Sequence, residues 1–490
     1  MKPDRTMNRF PARLLVLCAG IYLHACCVFG AETIHAAICS AGRPAGKTAA
    51  GNGVAGIGFA GQLIDTVTCK ADPTQSYALY IPPGTAKGPM PALYFFDPHG
   101  NGSLPVGKYK SLADAYGFIL IGSNNSKNGN DWSAARGIWS VLSDDTQKRW
   151  PIDRKRIYTG GFSGGAKVAG YIAIMYPVVK GILVNGAGLP DGVAAADFDF
   201  SVTAIAGEGD MNLTELVAIS KDLDHTHTRH RILFFDGKHE WAPPATMSLA
   251  FEGLQFDAMK RGLIPVSEPV IRRYLAESRK RLDEDYQSGQ FIKARRECSL
   301  SISFLDGLTP EAAWFGQKAA SLDGDARYQK QRQMQERLLV KEEDIKTEYA
   351  RHFQQSEMPY WTATIDRLKK DATRKDAETA MHQRLLAYLS LAFYSFSSRL
   401  INSNGNREAA YFVALYKLAD PANSEAWYFS ALLHARSGNS QAAEDDLLKA
   451  AACGLLDKRR MRQQPEFQGL SPKLHFARIE AAMVRTGAGK

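Results

Sequence analysis

A chain of 490 residues is too long to bury itself around one core, so two or three domains are expected. Its 45% apolar and 23% charged residues are ordinary globular composition. The net charge is +9, but residues 1–30 carry Lys2, Arg5, Arg9 and Arg13 against Asp4, and the +6 left on a long chain without a clustered patch excludes nucleic acid as the expected partner.

Residues 1–30 read as a secretory signal peptide. A basic stretch to Arg13 precedes an apolar run over 14–23, and Val28-Phe29-Gly30 before Ala31 fits a cleavage site. Leu23-His24-Ala25-Cys26 also resembles a bacterial lipobox, so the protein is expected to be exported and membrane-attached only if Cys26 is acylated. No later stretch is long and apolar enough to span a bilayer. Of seven cysteines, Cys39, Cys69, Cys298 and Cys453 lie beyond this region, and an oxidising compartment makes Cys39–Cys69 the expected disulfide.

Residues 31–57 are rich in Ala and Gly and read as a linker. Their Gly46-Lys47-Thr48 imitates a phosphate-binding loop, but no apolar strand precedes it. From Phe59 the period changes. Strands are expected over 63–68 and 76–81 by alternation, and over 92–96 and 118–121 as continuous apolar runs covered on both faces. Helical patterns follow around Leu112, Ala113 and Tyr116 and over 132–142. Further strands are expected at Ile157 and over 179–185, 202–206 and 231–235, with a closing helix over 245–260. Strands alternating with helices imply an α/β domain over 58–265, a doubly wound and mostly parallel sheet.

The chemistry gathers at Gly161-Phe162-Ser163-Gly164-Gly165. An apolar strand ends there and a helix begins at once, so the serine sits on a strand-to-helix turn that glycines allow to be sharp. Asp210 follows the strand ending at Ala206, and His239 follows the strand ending at Phe235. The order serine, acid, histidine at successive strand ends provides a nucleophile, a carboxylate to orient the base, and the base. Glu208 and Asp236 compete with Asp210 by position. An oxyanion hole is expected from the Gly164 amide and from the loop at His99 and Gly100, which directly follows the 92–96 strand. Trp241 is expected to line the substrate pocket, with Trp132 a second candidate. His225, His227 and His230 lack a carboxylate at ligand spacing and read as a solvated loop, so neither metal nor cofactor is expected.

These residues carry a resemblance. Gly-Phe-Ser163-Gly-Gly, Gly-x-x-Asp210, Gly-x-His239-x-Trp and the His99-Gly100 loop resemble the α/β-hydrolase superfamily, and within it the exported polyhydroxybutyrate-depolymerase and feruloyl-esterase branch. The resemblance covers under half the chain. It implies Ser163 as nucleophile, Asp210 as acid and His239 as general base, cleaving a small-molecule or polymer-derived carboxylic ester through an acyl-enzyme. A non-catalytic scaffold and a serine peptidase on the same fold remain open alternatives.

Residues 266–490 lose strand signals and read as an all-α domain. Trp427, Ala431, Ala443, Leu447 and Ala450, with Phe393, Ser397, Ala409 and Val413 one period of 34 earlier, fit a tetratricopeptide-like repeat. Phe291 and Ala294 mark a looser third copy. Stacked repeats of this kind would offer a surface for a protein partner.

Overall fold

The computed structural model describes residues 59–84, 88–455, 458–470 and 473–487. The expected signal peptide and linker, and Cys39 of the expected disulfide, lie outside them; Cys69 is a buried thiol. No helix among the described residues is long and apolar enough to cross a membrane.

The strands are β1 (Leu63–Thr68), β2 (Ser76–Tyr80), β3 (Met90–Phe96), β4 (Ile119–Ser123), β5 (Ile152–Phe162), β6 (Val179–Asn185), β7 (Ser201–Gly207) and β8 (His230–Phe235). They form one sheet in the order β1-β2-β4-β3-β5-β6-β7-β8. β2 pairs antiparallel with β1 and β4, and every other pairing is parallel. The continuous apolar runs behave as a strand covered on both faces must: all seven residues of β3, and all seven of β7, are buried. Side chains alternate across a strand, and the helices follow from that. Tyr94 meets Trp139 of α2 (Trp132–Arg149), while its neighbour Phe95 meets Tyr109 of α1 (Ser103–Tyr116). Helices therefore cover both faces, and burying Phe95 alone is worth about 2–3 kcal/mol. The sheet is the doubly wound, mostly parallel one that the sequence pattern implies.

β5 begins at Ile152, five residues before its apolar part. Ile152 pairs with Met90, but Asp153-Arg-Lys-Arg156 breaks the apolar signal where the strand reaches the surface. α3 (Gly164–Met175) follows β5, α4 (Leu213–Leu223) connects β7 to β8, and α5 (Pro244–Lys260) follows β8.

The chain does not divide at the expected boundary of 265. Contacts divide it between Arg337 and Leu338, inside α9 (Ala326–Gln355). Three helices beyond α5 belong to the sheet's own unit: α6 (Glu268–Gln287), α7 (Phe291–Leu305) and α8 (Ala312–Asp323). Their apolar residues Ile271, Tyr274, Phe291, Ala294, Phe304 and Phe315 join the cluster that contains Phe95, Phe118 and Phe251. Phe304 packs on Phe256 of α5 and lies under the Arg231 guanidinium. Arg231 and Asp257 form a buried ion pair there, at 2.5 Å. Lys260 donates to the Ser303 carbonyl at 2.7 Å, and burial pushes its amine down to about 8. The third repeat copy expected at Phe291 and Ala294 is thus part of the sheet's own apolar core.

Within the unit from Leu338 onward, α11 (Thr379–Asn402) and α12 (Asn406–Ala419) form one helical hairpin, and α13 (Ser424–Arg436) and α14 (Ser440–Ala452) another. α10 (Met358–Asp371) packs beside the first. Asn404 and Gly438 make the two turns at φ 60° and 75°. Phe393, Ser397, Ala409, Val413, Ala431, Ala443, Leu447 and Ala450 are all buried. Trp427 is half-buried and donates its indole N–H to the Pro421 carbonyl at 2.8 Å.

Candidate active site

The site is built on the C-terminal ends of β5, β7 and β8. Ser163 takes φ 54° and ψ −124°, a left-handed conformation that costs a non-glycine residue on the order of 1–2 kcal/mol. The chain turns that tightly because its flanking glycines leave room. A Cβ on Gly161 would stand 2.1 Å from the Gly165 carbonyl oxygen, and one on Gly165 would stand 1.9 Å from the Phe96 carbonyl oxygen. We therefore expect Gly165→Ala to destabilise the fold by about 3 kcal/mol or more, because backbone must move. Gly137→Ala, in open space on α2, should instead add about 0.5–1 kcal/mol. Urea denaturation of both variants checks the contrast, and equal stabilities would contradict it.

His239 Nε2 lies 3.0 Å from Ser163 Oγ, and His239 Nδ1 lies 3.0 and 3.1 Å from the two Asp210 oxygens. Asp210 is fully buried, Ser163 is 8% exposed, and the His239 side chain is 20% exposed. The three residues named from strand-end order are thus brought into one hydrogen-bonded line that runs from the fully buried acid to the partly exposed histidine and the nearly buried serine. The competing acids are elsewhere: Asp236 is exposed, and Glu208 pairs with Arg296. Asp210 is itself held by the Asn212 backbone N–H at 2.9 Å. Asn212 Nδ2 ties the same turn to the Gly186 carbonyl at 2.8 Å. The Phe162 ring packs at a tilt of 43° against the His239 ring, with centroids 4.6 Å apart.

The loop carrying His239 is fixed by residues that motif reasoning passes over. Asn185, at the end of β6, accepts from the Ala242 N–H at 2.8 Å and donates to the Glu240 carbonyl at 3.2 Å. From α1, Lys108 and Tyr109 donate to the carbonyls of Trp241 and Ala242. A polar residue closing the apolar run Ile182-Leu183-Val184 was the available sign. Lys167, one turn after Ser163 on α3, is buried and paired with Asp191 at 2.5 Å. Nearby, burial pushes the Glu215 carboxyl above its ordinary range, against the pull of the Lys167 charge.

Three expectations change. Trp241 is not presented as a pocket wall. Its ring is 6% exposed, packed among Phe95, Tyr109 and Phe162, and its N–H is spent on Asp97 Oδ2 at 3.0 Å. His99 and Gly100 also use their amides inside their own turn. The His99 N–H donates to Asp97 Oδ1 at 2.9 Å and the Gly100 N–H to the Asp97 carbonyl at 3.1 Å. Burial opposes ionisation of Asp97, but the hydrogen bonds from His99 and Trp241 outweigh it and hold the carboxyl below its usual range. Gly164 keeps its expected place as the first residue of α3, where a helix leaves amides without internal partners beside the serine.

No protein-family model matches the chain, and no curated protein matches it. Among solved structures it is similar to an esterase from Pyrobaculum calidifontis, at 14% identity over 41% of this chain and 85% of that one, with a TM-score of 0.33. It is similar to a fungal esterase from Rhizomucor miehei, at 12% identity over 41% and 85%, with a TM-score of 0.34. It is also similar to an S-formylglutathione hydrolase from Agrobacterium tumefaciens, at 16% identity over 40% and 92%, with a TM-score of 0.30.

Proposed function

We propose that the chain is an exported serine hydrolase that cleaves carboxylic esters through an acyl-enzyme on Ser163. The observation that carries this reading is the line from Ser163 Oγ through His239 to buried Asp210, with both hydrogen bonds near 3.0 Å. His239 Nε2 takes the serine proton as Oγ attacks the ester carbonyl, and the carbonyl oxygen becomes an oxyanion. The Gly164 amide stabilises that charge. The imidazolium, held by ionised Asp210, then protonates the departing alkoxide. Water, activated by the same nitrogen, attacks the acyl-enzyme and releases the acid. The basic and apolar pattern of residues 1–30 supports export. We propose further that the paired hairpins over 379–452 are tetratricopeptide-like and bind a protein partner, supported by buried small residues at a spacing of 34.

Treatment with a fluorophosphonate, then peptide mapping, is expected to place the adduct on Ser163. A panel of p-nitrophenyl esters and peptide p-nitroanilides is expected to show turnover of the esters. Labelling at Ser163 with turnover of anilides alone would replace the esterase by a peptidase. No label and no turnover would leave a scaffold.

A further inference from the structure

The hydrolase-like unit carries one ion pair that reaches its reactive loops from outside the sheet. Arg296 lies on α7, beyond the point where the α/β pattern of the sequence ends. Its guanidinium donates to Glu208 Oε1 at 2.5 Å and lies 3.5 Å from the centroid of the Phe234 ring. Those two contacts fall on two different strand ends. Glu208 is the first residue after β7 and precedes Asp210 by two. Phe234 is on β8, five residues before His239.

The strand ends are already joined by backbone. The Glu208 N–H donates to the Phe235 carbonyl at 2.9 Å, and the Gly209 N–H to the Gly237 carbonyl at 2.8 Å. Gly207 admits no side chain, since a Cβ there would stand 2.5 Å from the Lys238 carbonyl oxygen. One arginine thus spans the pair of loops whose separation sets the Asp210–His239 hydrogen bond. It also borders a cleft of about 250 Å³ lined by Glu208, Gln290, Lys293, Gln331 and Gln335. The side chains of Arg296 and Glu208 remain 23% and 30% exposed there, so water and salt reach the pair.

We propose that Arg296 is a positioning residue: it clamps the acid loop to the histidine loop and so sets the orientation of His239 toward Ser163. The proposal rests on the serine-hydrolase reading, but it concerns geometry that exists with or without turnover. Small displacements of an acid or base cost large factors in rate, and Asn212 also holds Asp210, so the expected effect is intermediate. Arg296→Met keeps a stem over Phe234 and removes the charge. It is expected to lower kcat for p-nitrophenyl acetate roughly tenfold with KM changed less than about twofold. Arg296→Lys should recover most of the loss, and the melting temperature of both should stay within about 3 °C of the parent. In parallel, the downfield proton resonance of the His239 Nδ1–H bonded to Asp210 should broaden or shift in Arg296→Met and return in Arg296→Lys. A raised KM at unchanged kcat would make Arg296 a substrate contact and overturn the proposal. An unmoved resonance would overturn it too, and that readout decides even if the parent protein hydrolyses no ester.

Discussion

Ser163→Ala is expected to lower kcat for short p-nitrophenyl esters on the order of 10⁵-fold, while the protein stays folded. The hydroxyl is the only group of the line that can form the acyl bond, so His239 and Asp210 left behind have nothing to activate. What remains is the slow attack of water in a site that still binds ester and still offers the Gly164 amide. Folding should survive because the change removes one hydrogen bond, 3.0 Å to a partly exposed imidazole, at a cost near 1 kcal/mol. Glycine at this position sharpens the point. It should be as inactive as alanine, yet about 1 kcal/mol more stable, since the φ of 54° strains any residue with a Cβ. Initial rates with matched circular-dichroism spectra test both. Retention of more than a hundredth of parental turnover by the alanine variant would refute Ser163 as the nucleophile.

The second large effect is expected at Asp210. Asp210→Asn should cost roughly 10⁴-fold in kcat with little change in stability. The carboxylate accepts His239 Nδ1–H through both oxygens and the Asn212 N–H through one. In asparagine the second acceptor, at the Oδ2 position, becomes an amide nitrogen whose hydrogens face the Nδ1–H donor. The imidazole then keeps its proton on Nε2, pointing at Ser163, where it cannot take another. Among the described residues the ion-pair partner of Asp210 is His239, which can give up its charge, so neutralising this buried group leaves no permanent charge stranded and the fold loses little. Steady-state kinetics of the purified variant check the size of the effect. A loss under tenfold would mean that another acid orients the histidine.

The sheet was legible because its inner strands carry short apolar runs, complete in β3 and at the C-terminal ends of β5 and β6, and the triad candidates because they stand just after such strands in a fixed order. What failed to show has a physical reason in each case. The Asp153-Arg-Lys-Arg156 stretch hid the first half of β5, because exposed residues of a long strand look like a loop. The glycines around His99 promised free amides, but composition does not report where an N–H is spent. Asp97, two residues upstream, collects them, and an aspartate opening a turn was the sign to weigh. Trp241 illustrates a similar gap. A large aromatic near a reactive histidine has the same sequence signature whether it walls a pocket or, as here, plugs the floor beneath the loop. Helical periodicity told which face of α6, α7 and α8 is apolar, but not which core that face would join.

That last point bears on how the molecule fails as well as how it is divided. Phe304 covers the Arg231–Asp257 pair, and Ser303 holds the Lys260 amine. If α7 peels away, a charge pair and a lysine that were sheltered meet water, and the aromatic floor around Phe256 opens with them. The loops carrying Asp210 and His239 and the late helices belong to one structural unit, so a single melting transition is expected for them. A protease nick between α5 and α6 would not release a self-contained smaller unit. It would cut into the same structural unit that aligns the serine, the histidine and the acid.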